Sequence, residues 1–414
     1  MMLSQRLRRS VCARRKIGTF GLFGGGNLGN DGSLEAVLSS LRRLMSEGDM
    51  GCICACPEEV AKQHPILTLP MRTPPPSHTL AQGPASFAWK ALREIIDWPA
   101  TFWRVRRFGV ILVPGTGILD DFGDRPWGMP LSILRFSLMA RLAGTKIWFI
   151  SIGAGPINHP LSRRLMLWAA KLADYRSYRD AISRDYMASI GLDTRHDRVY
   201  PDVAFSLPTP AHDVERTKAA HRFPTIGVGA MAYYGWRGRQ HGLAIHAQYL
   251  ERMMAFVVWL IEEGYRVRLL TGENSDEAVV GHIRRTVVER MPALSEDRIV
   301  TEPARSLHDV MRQMAECEIV VATRFHNVIC ALRLGKPTIS IGYAAKFEAL
   351  MADMGLADYL QDIEKLDIDL LKHQFRRILA NGEVLASNIR AKTVQYQQKL
   401  REQDNHLAAL LRQE

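Results

Sequence analysis

Short apolar runs that end in glycine or proline alternate with stretches whose apolar positions recur every three or four residues, almost throughout the chain. Lys16–Phe23 predicts a strand, and Gly24-Gly25-Gly26-Asn27-Leu28-Gly29-Asn30-Asp31-Gly32 follows it as a loop. Asp31–Met45 predicts a helix with Leu34, Val37, Leu38, Leu41 and Leu44 on one face. Gly51–Cys56, Val110–Val113 and Lys146–Ile152 predict further strands. The last two run into Pro114-Gly115-Thr116-Gly117 and Gly153-Ala154-Gly155-Pro156. Apolar runs that each end in glycines and lead to a helix indicate a parallel sheet with loops at its carboxyl edge. Pro65–Pro84, with Pro74-Pro75-Pro76, predicts an irregular loop.

The polar, proline-bearing stretch Pro208–Pro224 marks a domain boundary, after which the alternation restarts. Thr225–Met231, Arg266–Thr271, Ile299–Thr301, Ile319–Thr323 and Thr338–Gly342 predict strands; His246–Glu263 and Leu307–Glu316 predict helices. The fold class expected is α/β: two Rossmann-like domains facing across a cleft, with C-terminal helices. The divisions are a basic tail at 1–16, domains at 17–210 and 222–370, and a helical segment at 371–414 whose end, Tyr396–Glu414, is expected to fray. Phe87–Arg107 is aromatic and basic, and Pro99 is expected to break it into two short helices. Its two readings are core packing with a solvated basic face and a membrane-surface patch.

A length of 414 residues fits two domains, and 47% hydrophobic with 23% charged residues excludes a disordered chain, a collagen and a disulfide scaffold. The net charge is +11, and Arg6, Arg8, Arg9, Arg14, Arg15 and Lys16 carry much of it without a neighbouring acid. The remaining excess is too small to demand nucleic acid, but suits anionic small substrates or an anionic membrane face. Six cysteines fit a reducing compartment, and Cys52, Cys54 and Cys56 alternate as buried small residues rather than zinc ligands. No stretch reaches the roughly 18 apolar residues of a membrane span, and no apolar segment follows the first arginines as a secretory signal would require. A cytoplasmic protein, possible as a peripheral one at the inner membrane face, is the expectation.

Four motifs carry candidate chemistry. The glycine-rich loop fits G-x-G-x-x-G at Gly24, Gly26 and Gly29, but Asn30-Asp31-Gly32 prolongs the loop where a dinucleotide-binding helix would already be running. It reads equally as a substrate-facing loop or a tight turn capped by Asp31. In Ile319-Val320-Val321-Ala322-Thr323-Arg324-Phe325-His326-Asn327, a buried strand hands over to a helix ending at Gly335-Lys336-Pro337. That places Arg324 and His326 at the carboxyl edge of a sheet, an anion fork beside a group that titrates near neutrality. Tyr178-Arg179-Asp180 offers a further arginine, with an Arg179–Asp180 or Arg179–Asp202 ion pair as its structural alternative. Leu119-Asp120-Asp121-Phe122-Gly123-Asp124 reads as a capped loop before a metal site, and no metal is expected. Tyr233–His241, with two tyrosines, Trp236, Arg237 and Arg239, could stack on a sugar or remain an exposed loop.

Taken in order from about Ile17 to Leu356, these pieces resemble the polysaccharide pyruvyl transferase family. The resemblance rests on Gly26–Asp31, Gly115–Asp120, Ser151–Pro156, Tyr178-Arg179-Asp180, Pro201–Phe205, Thr323–Asn327 and Gly342–Lys346. The chain departs from the family at Gly32-Ser33-Leu34, in the Pro-rich insertion and in the Trp/Arg segment. The resemblance implies a GT-B-like fold and transfer of the enolpyruvyl group of phosphoenolpyruvate onto a sugar as a cyclic ketal. Phosphoenolpyruvate is then a donor substrate and no cofactor is required; the acceptor is a glycan or a lipid-linked oligosaccharide. It implies His326 and Arg324 as catalytic, and Arg179, Gly26, Asn27, Asp31, Asp121, Thr323 and Lys346 as substrate-binding. Gly26–Asp31 and Asp121 are expected on the acceptor side, in the first domain. A nucleotide-sugar glycosyltransferase of the same architecture is the alternative. A nicotinamide oxidoreductase and a catalytically dead sugar-binding protein stand further off.

Overall fold

The computed structural model describes residues 16–74, 85–210, 223–236 and 238–413. The basic tail expected at 1–16 lies almost wholly outside them, as do the middle of the expected boundary and the end of the Pro-rich loop. The strands are β1 (Lys16–Gly21), β2 (Met50–Cys54), β3 (Leu67–Pro70), β4 (Phe108–Pro114), β5 (Lys146–Ile152), β6 (Tyr175–Tyr178), β7 (Arg198–Val199), β8 (Thr225–Gly229), β9 (Arg266–Leu270), β10 (Ile299–Thr301), β11 (Ile319–Ala322), β12 (Thr338–Gly342) and β13 (Leu360–Asp362). The helices are α1 (Leu28–Arg42), α2 (Pro57–Gln63), α3 (Ala85–Val105), α4 (Met129–Ala143), α5 (Pro160–Lys171), α6 (Ala181–Ser189), α7 (Leu243–Glu262), α8 (Asp276–Arg290), α9 (Leu307–Ala315), α10 (Phe325–Arg333), α11 (Ala345–Asp353) and α12 (Ile368–Leu411).

The strands form two sheets, ordered β3-β2-β1-β4-β5-β6-β7 and β10-β9-β8-β11-β12-β13. Every pairing is parallel, and both orders reverse direction after their first strand, the doubly wound arrangement of a Rossmann fold. The expected α/β class with two Rossmann-like sheets is what the chain adopts. Helices cover both faces, so β2, β8, β9, β11 and β12 are buried along their whole length. Cys52 and Cys54 lie buried in β2 as small apolar residues. Phe20 stacks on Phe136 at 3.9 Å between ring centroids in the first core.

The chain divides into two compact units: Met1–Gly25, Val37–Tyr200 and Asp404–Glu414 in one, Gly26–Ala36 and Pro201–Gln403 in the other. This differs from the expected 17–210 and 222–370 division at both ends. Gly26–Ala36 joins the second unit because its backbone bridges the turn after β9. Residues from Asp404 join the first, where Asp404 accepts from Ser40 and pairs with Arg43 at 2.6 Å. The C-terminal segment does not fray at Tyr396, because α12 buries Tyr396 and Leu400 and sets the Tyr396 ring edge-on to Phe205. Nor does Pro99 divide its segment: α3 runs continuously through it. A proline removes one amide donor, and the buried side of the helix, with Asp97, Thr101 and Val105, holds it together.

Candidate active site

In the second sheet the strand order reverses between β8 and β11, the place where doubly wound folds bind ligands. Thr323 is fully buried there, and its hydroxyl donates to the Gly229 carbonyl at 3.2 Å, tying the ends of the two strands. The structure thus gives Thr323 a joining role, where the expectation makes it a substrate contact. Arg324 is the cap residue of α10, with extended backbone. Its guanidinium pairs with Glu273 at 2.7 Å and takes both oxygens of Asp276, at 3.0 and 2.6 Å. Asp276 has no exposure and also accepts from the Ala232 and Gly272 amides. A carboxylate this deeply buried demands a cation. Burial opposes the charge on Arg324, but Asp276 and Glu273 outweigh it and hold the group protonated above the ordinary arginine range. The expectation sets Arg324 on a substrate anion; in the structure its fork serves the protein's own carboxylates.

His326 follows as the second residue of α10. Its Nε2 lies 3.9 Å from the Asp202 carboxylate, and both side chains are mostly buried. The other Asp202 oxygen accepts from the Ala204 amide at 3.0 Å, which caps the short turn Val203–Ser206 and fixes the carboxylate. On another side the imidazole lies against the Gly29 backbone so closely that a Cβ there would collide with Nδ1. Asn327 donates to the Thr271 carbonyl at 3.2 Å. The Asp202 carboxylate thus places a negative charge beside the imidazole at a distance longer than a hydrogen bond.

The glycine-rich loop joins this same unit. α1 begins at Leu28, three residues before the expected start, because Asn27 rather than Asp31 caps it: Asn27 Oδ1 accepts from the Gly29 and Asn30 amides at 3.1 and 3.2 Å. Leu28 N donates to the Gly272 carbonyl, Asp31 N to the Asn27 carbonyl, and Asn274 N to the Gly26 carbonyl. Gly26 has φ +84, and a Cβ there would strike the Asn274 side chain. The four amides that open α1 therefore all have protein partners, so this helix start lacks the donors a dinucleotide pyrophosphate would need. Gly26, Asn27 and Asp31 belong with His326 and Arg324 rather than to the first domain, where the expectation places them.

Lys346 is the second residue of α11, with Nζ 5.1 Å from the Tyr343 ring centroid and 5.5 Å from that of Phe325, the neighbour of His326. Among the described residues no carboxylate pairs with it, so it is a cation held by aromatic faces. The sugar-stacking alternative for Tyr233–His241 loses its tyrosines to internal contacts: Tyr233 is buried and donates to Glu364 at 2.7 Å, and Tyr234 packs tilted against His246 at 4.3 Å between ring centroids. Arg237 lies outside the described residues.

The first unit holds the remaining expected residues. Arg179 follows β6, lies against Gly153 and pairs with Asp180 at 3.6 Å, the structural alternative for it. Asp121 is buried, and its two oxygens accept from the Asn158 and His159 amides at 2.9 and 2.8 Å. It therefore fixes the approach to α5, where the expectation has it orient sugar hydroxyls. Asp124 accepts from Met129 N, so this acidic run is a capped loop. Among the described residues no group of three or more His, Cys, Asp or Glu is arranged to hold a metal ion. Glu273 and Asp276 are participants that the residue pattern does not single out, and Asp202 enters it only as a candidate partner of Arg179. The quoted Pro201–Phe205 motif was the available signal for Asp202; Gly272–Asp276 is an ordinary polar turn without periodicity.

Comparison with known proteins bears on the fold and on the family. A glycosyltransferase from Rickettsia africae ESF-5 superposes with TM-score 0.56 at 11% identity, covering 96% of this chain and 99% of its own. UDP-GlcNAc 2-epimerase from Neisseria meningitidis bound to UDP-GlcNAc gives 0.56 at 12%, covering 90% and 93%. Such identities establish a shared GT-B-type two-sheet fold alone. In sequence, the amylovoran biosynthesis protein AmsJ of Erwinia amylovora is 24% identical over 292 residues, 68% of this chain and 67% of its own length. The family described as polysaccharide pyruvyl transferase matches residues 83–344, which include Asp202, Arg324 and His326 but not the glycine-rich loop. With that match over more than half its length, the chain belongs to the polysaccharide pyruvyl transferase family and is an enzyme of that class.

Proposed function

We propose that the protein transfers the enolpyruvyl carbons of phosphoenolpyruvate to two hydroxyls of one sugar in a polysaccharide or its lipid-linked precursor. The product is a cyclic pyruvate ketal, and phosphate leaves. The observation that carries this reading is the imidazole of His326, held against the Gly29 backbone and facing the Asp202 carboxylate at 3.9 Å, at the start of α10. As imidazolium, His326 gives its proton to the donor's methylene carbon, which becomes the methyl group. One sugar hydroxyl adds to C2, and its proton restores the imidazolium. The second hydroxyl then displaces phosphate from C2, and its proton leaves with the phosphate. Asp202 sets a negative charge beside the ring. Lys346 and the N-terminal end of α10 supply positive potential for the donor's carboxylate and phosphate. Arg324 braces the turn after β9 beside them. The step needs only its two substrates. Phosphoenolpyruvate is a cytoplasmic metabolite, and a lipid-linked acceptor is presented at the membrane, so we place the enzyme in the cytoplasm with peripheral contact at the inner face.

The test is phosphate release from phosphoenolpyruvate with a panel of acceptor glycans, including lipid-linked ones. His326→Ala lowers turnover at least about a hundredfold with little change in Tm, as loss of a positioned acid does. Asp202→Asn, which keeps an oxygen for the Ala204 amide, lowers kcat more than it raises KM. Near-normal turnover in His326→Ala would remove the imidazole from the mechanism.

A further inference from the structure

Because α3 runs unbroken through Pro99, its outward residues form one continuous stripe. Leu92, Ile95, Pro99 and Trp103 follow one another at three- and four-residue steps, with Ile95 71% and Trp103 60% exposed. The acids of the helix turn the other way. Asp97 is fully buried, accepts from the Thr73 amide at 2.8 Å and hydroxyl at 2.7 Å, and faces Arg135 at 3.6 Å. Glu94 lies between Arg72 and Arg135, 2.9 Å from each. Arg106 and Arg107 extend the stripe just past the helix end, exposed, with the Arg106 guanidinium 4.4 Å from the Trp103 ring. Arg72 also donates to the Trp127 carbonyl, which brings a second tryptophan, 65% exposed, beside the helix.

We infer that this face of α3 seats the protein on a bilayer carrying anionic headgroups, with the helix lying in the plane of the interface. The bilayer supplies both halves of what the face lacks: hydrocarbon for Leu92, Ile95 and Trp103, and phosphate oxygens for Arg106 and Arg107. Tryptophan beside arginine is the side-chain pair that the headgroup level favours. A second copy of the chain is a poorer occupant, since pairing the face with itself brings the arginines no exposed carboxylate from the stripe. No helix of the described residues is long and apolar enough to cross the membrane, so the contact is superficial. The inference supplies the surface for the membrane contact in the proposed function, but it is read without turnover, so either can fail alone.

The experiment is flotation of the full-length protein with vesicles of phosphatidylcholine alone and of phosphatidylcholine with phosphatidylglycerol in equal parts. The expected result is binding to the mixed vesicles. The double variant Ile95→Ser/Trp103→Ser binds at least about tenfold less, consistent with two large apolar side chains leaving the interface. Its Tm stays near that of the parent, because both positions are exposed. Leu92→Ser is the companion variant should the double one fold poorly, and it gives a smaller loss in the same direction. Failure of the parent to bind mixed vesicles, or equal binding by the variants, overturns the proposal. So does sedimentation showing a dimer that Ile95→Ser/Trp103→Ser dissolves while vesicle binding persists.

Discussion

A glycine inside a helix ordinarily costs about 1 kcal/mol relative to alanine, so Gly29→Ala in α1 is a stabilising change by propensity alone. At this position the added methyl meets the His326 ring, and the sign reverses. Gly29→Ala is expected to lower both Tm and turnover; calorimetry showing an unchanged or raised Tm would contradict the packing of the imidazole. Arg324 carries the second residue-scale prediction. Arg324→Ala strands the buried Asp276 charge and is expected to destabilise by about 3–5 kcal/mol in urea unfolding, whereas Arg324→Lys, a point charge without the fork, recovers part of it. Of these residues, His326 was legible in sequence because an apolar strand hands directly over to its helix. Its partners were not: Asp202 and Gly29 meet it only through tertiary packing, and nothing in Gly272–Asp276 announces the carboxylates that occupy Arg324. Thr323 and Asp121 carry polar groups suited to substrate, and only their burial shows the backbone taking them.

At the scale of elements, the buried parallel strands were the most readable features. Lys146–Ile152, Ile299–Thr301 and Thr338–Gly342 match their apolar runs residue for residue. Short edge strands such as β3 and β13 escape such reading, because a few residues at a sheet margin carry no apolar run. α3 escaped it for another reason: local chemistry at Pro99 argues for a break, and the packing of its buried face overrides it. Pro99 sits exposed inside the helix. Pro99→Ala restores the N–H that can donate a hydrogen bond to the Ile95 carbonyl and should raise stability by roughly 1–3 kcal/mol, read as a higher Tm. A lowered Tm would mean that the helix packs through a proline-dependent bend. α12 shows the converse case, a polar segment kept helical to Leu411 by the apolar positions it buries.

For the whole molecule, two sheets of the same strand order leave the fold open to several chemistries, and the fold alone does not choose between a pyruvyl donor and a nucleotide sugar. A ligand that binds only the native state raises Tm by mass action. Phosphoenolpyruvate is expected to raise Tm, and His326→Ala to diminish the shift, while UDP-sugars leave it unchanged; the opposite pattern would favour the glycosyltransferase reading. The division of the chain bears on how the enzyme is made. Gly29, which shelves the His326 ring, belongs to Gly26–Ala36, yet the rest of its compact unit begins at Pro201. On the ribosome this early segment must wait through most of translation for its docking partners. The pairing is of long sequence range and closes late. Competence for chemistry should therefore appear only after nearly the entire polypeptide has emerged, and a nascent chain halted before α10 would carry the shelf without the imidazole it supports.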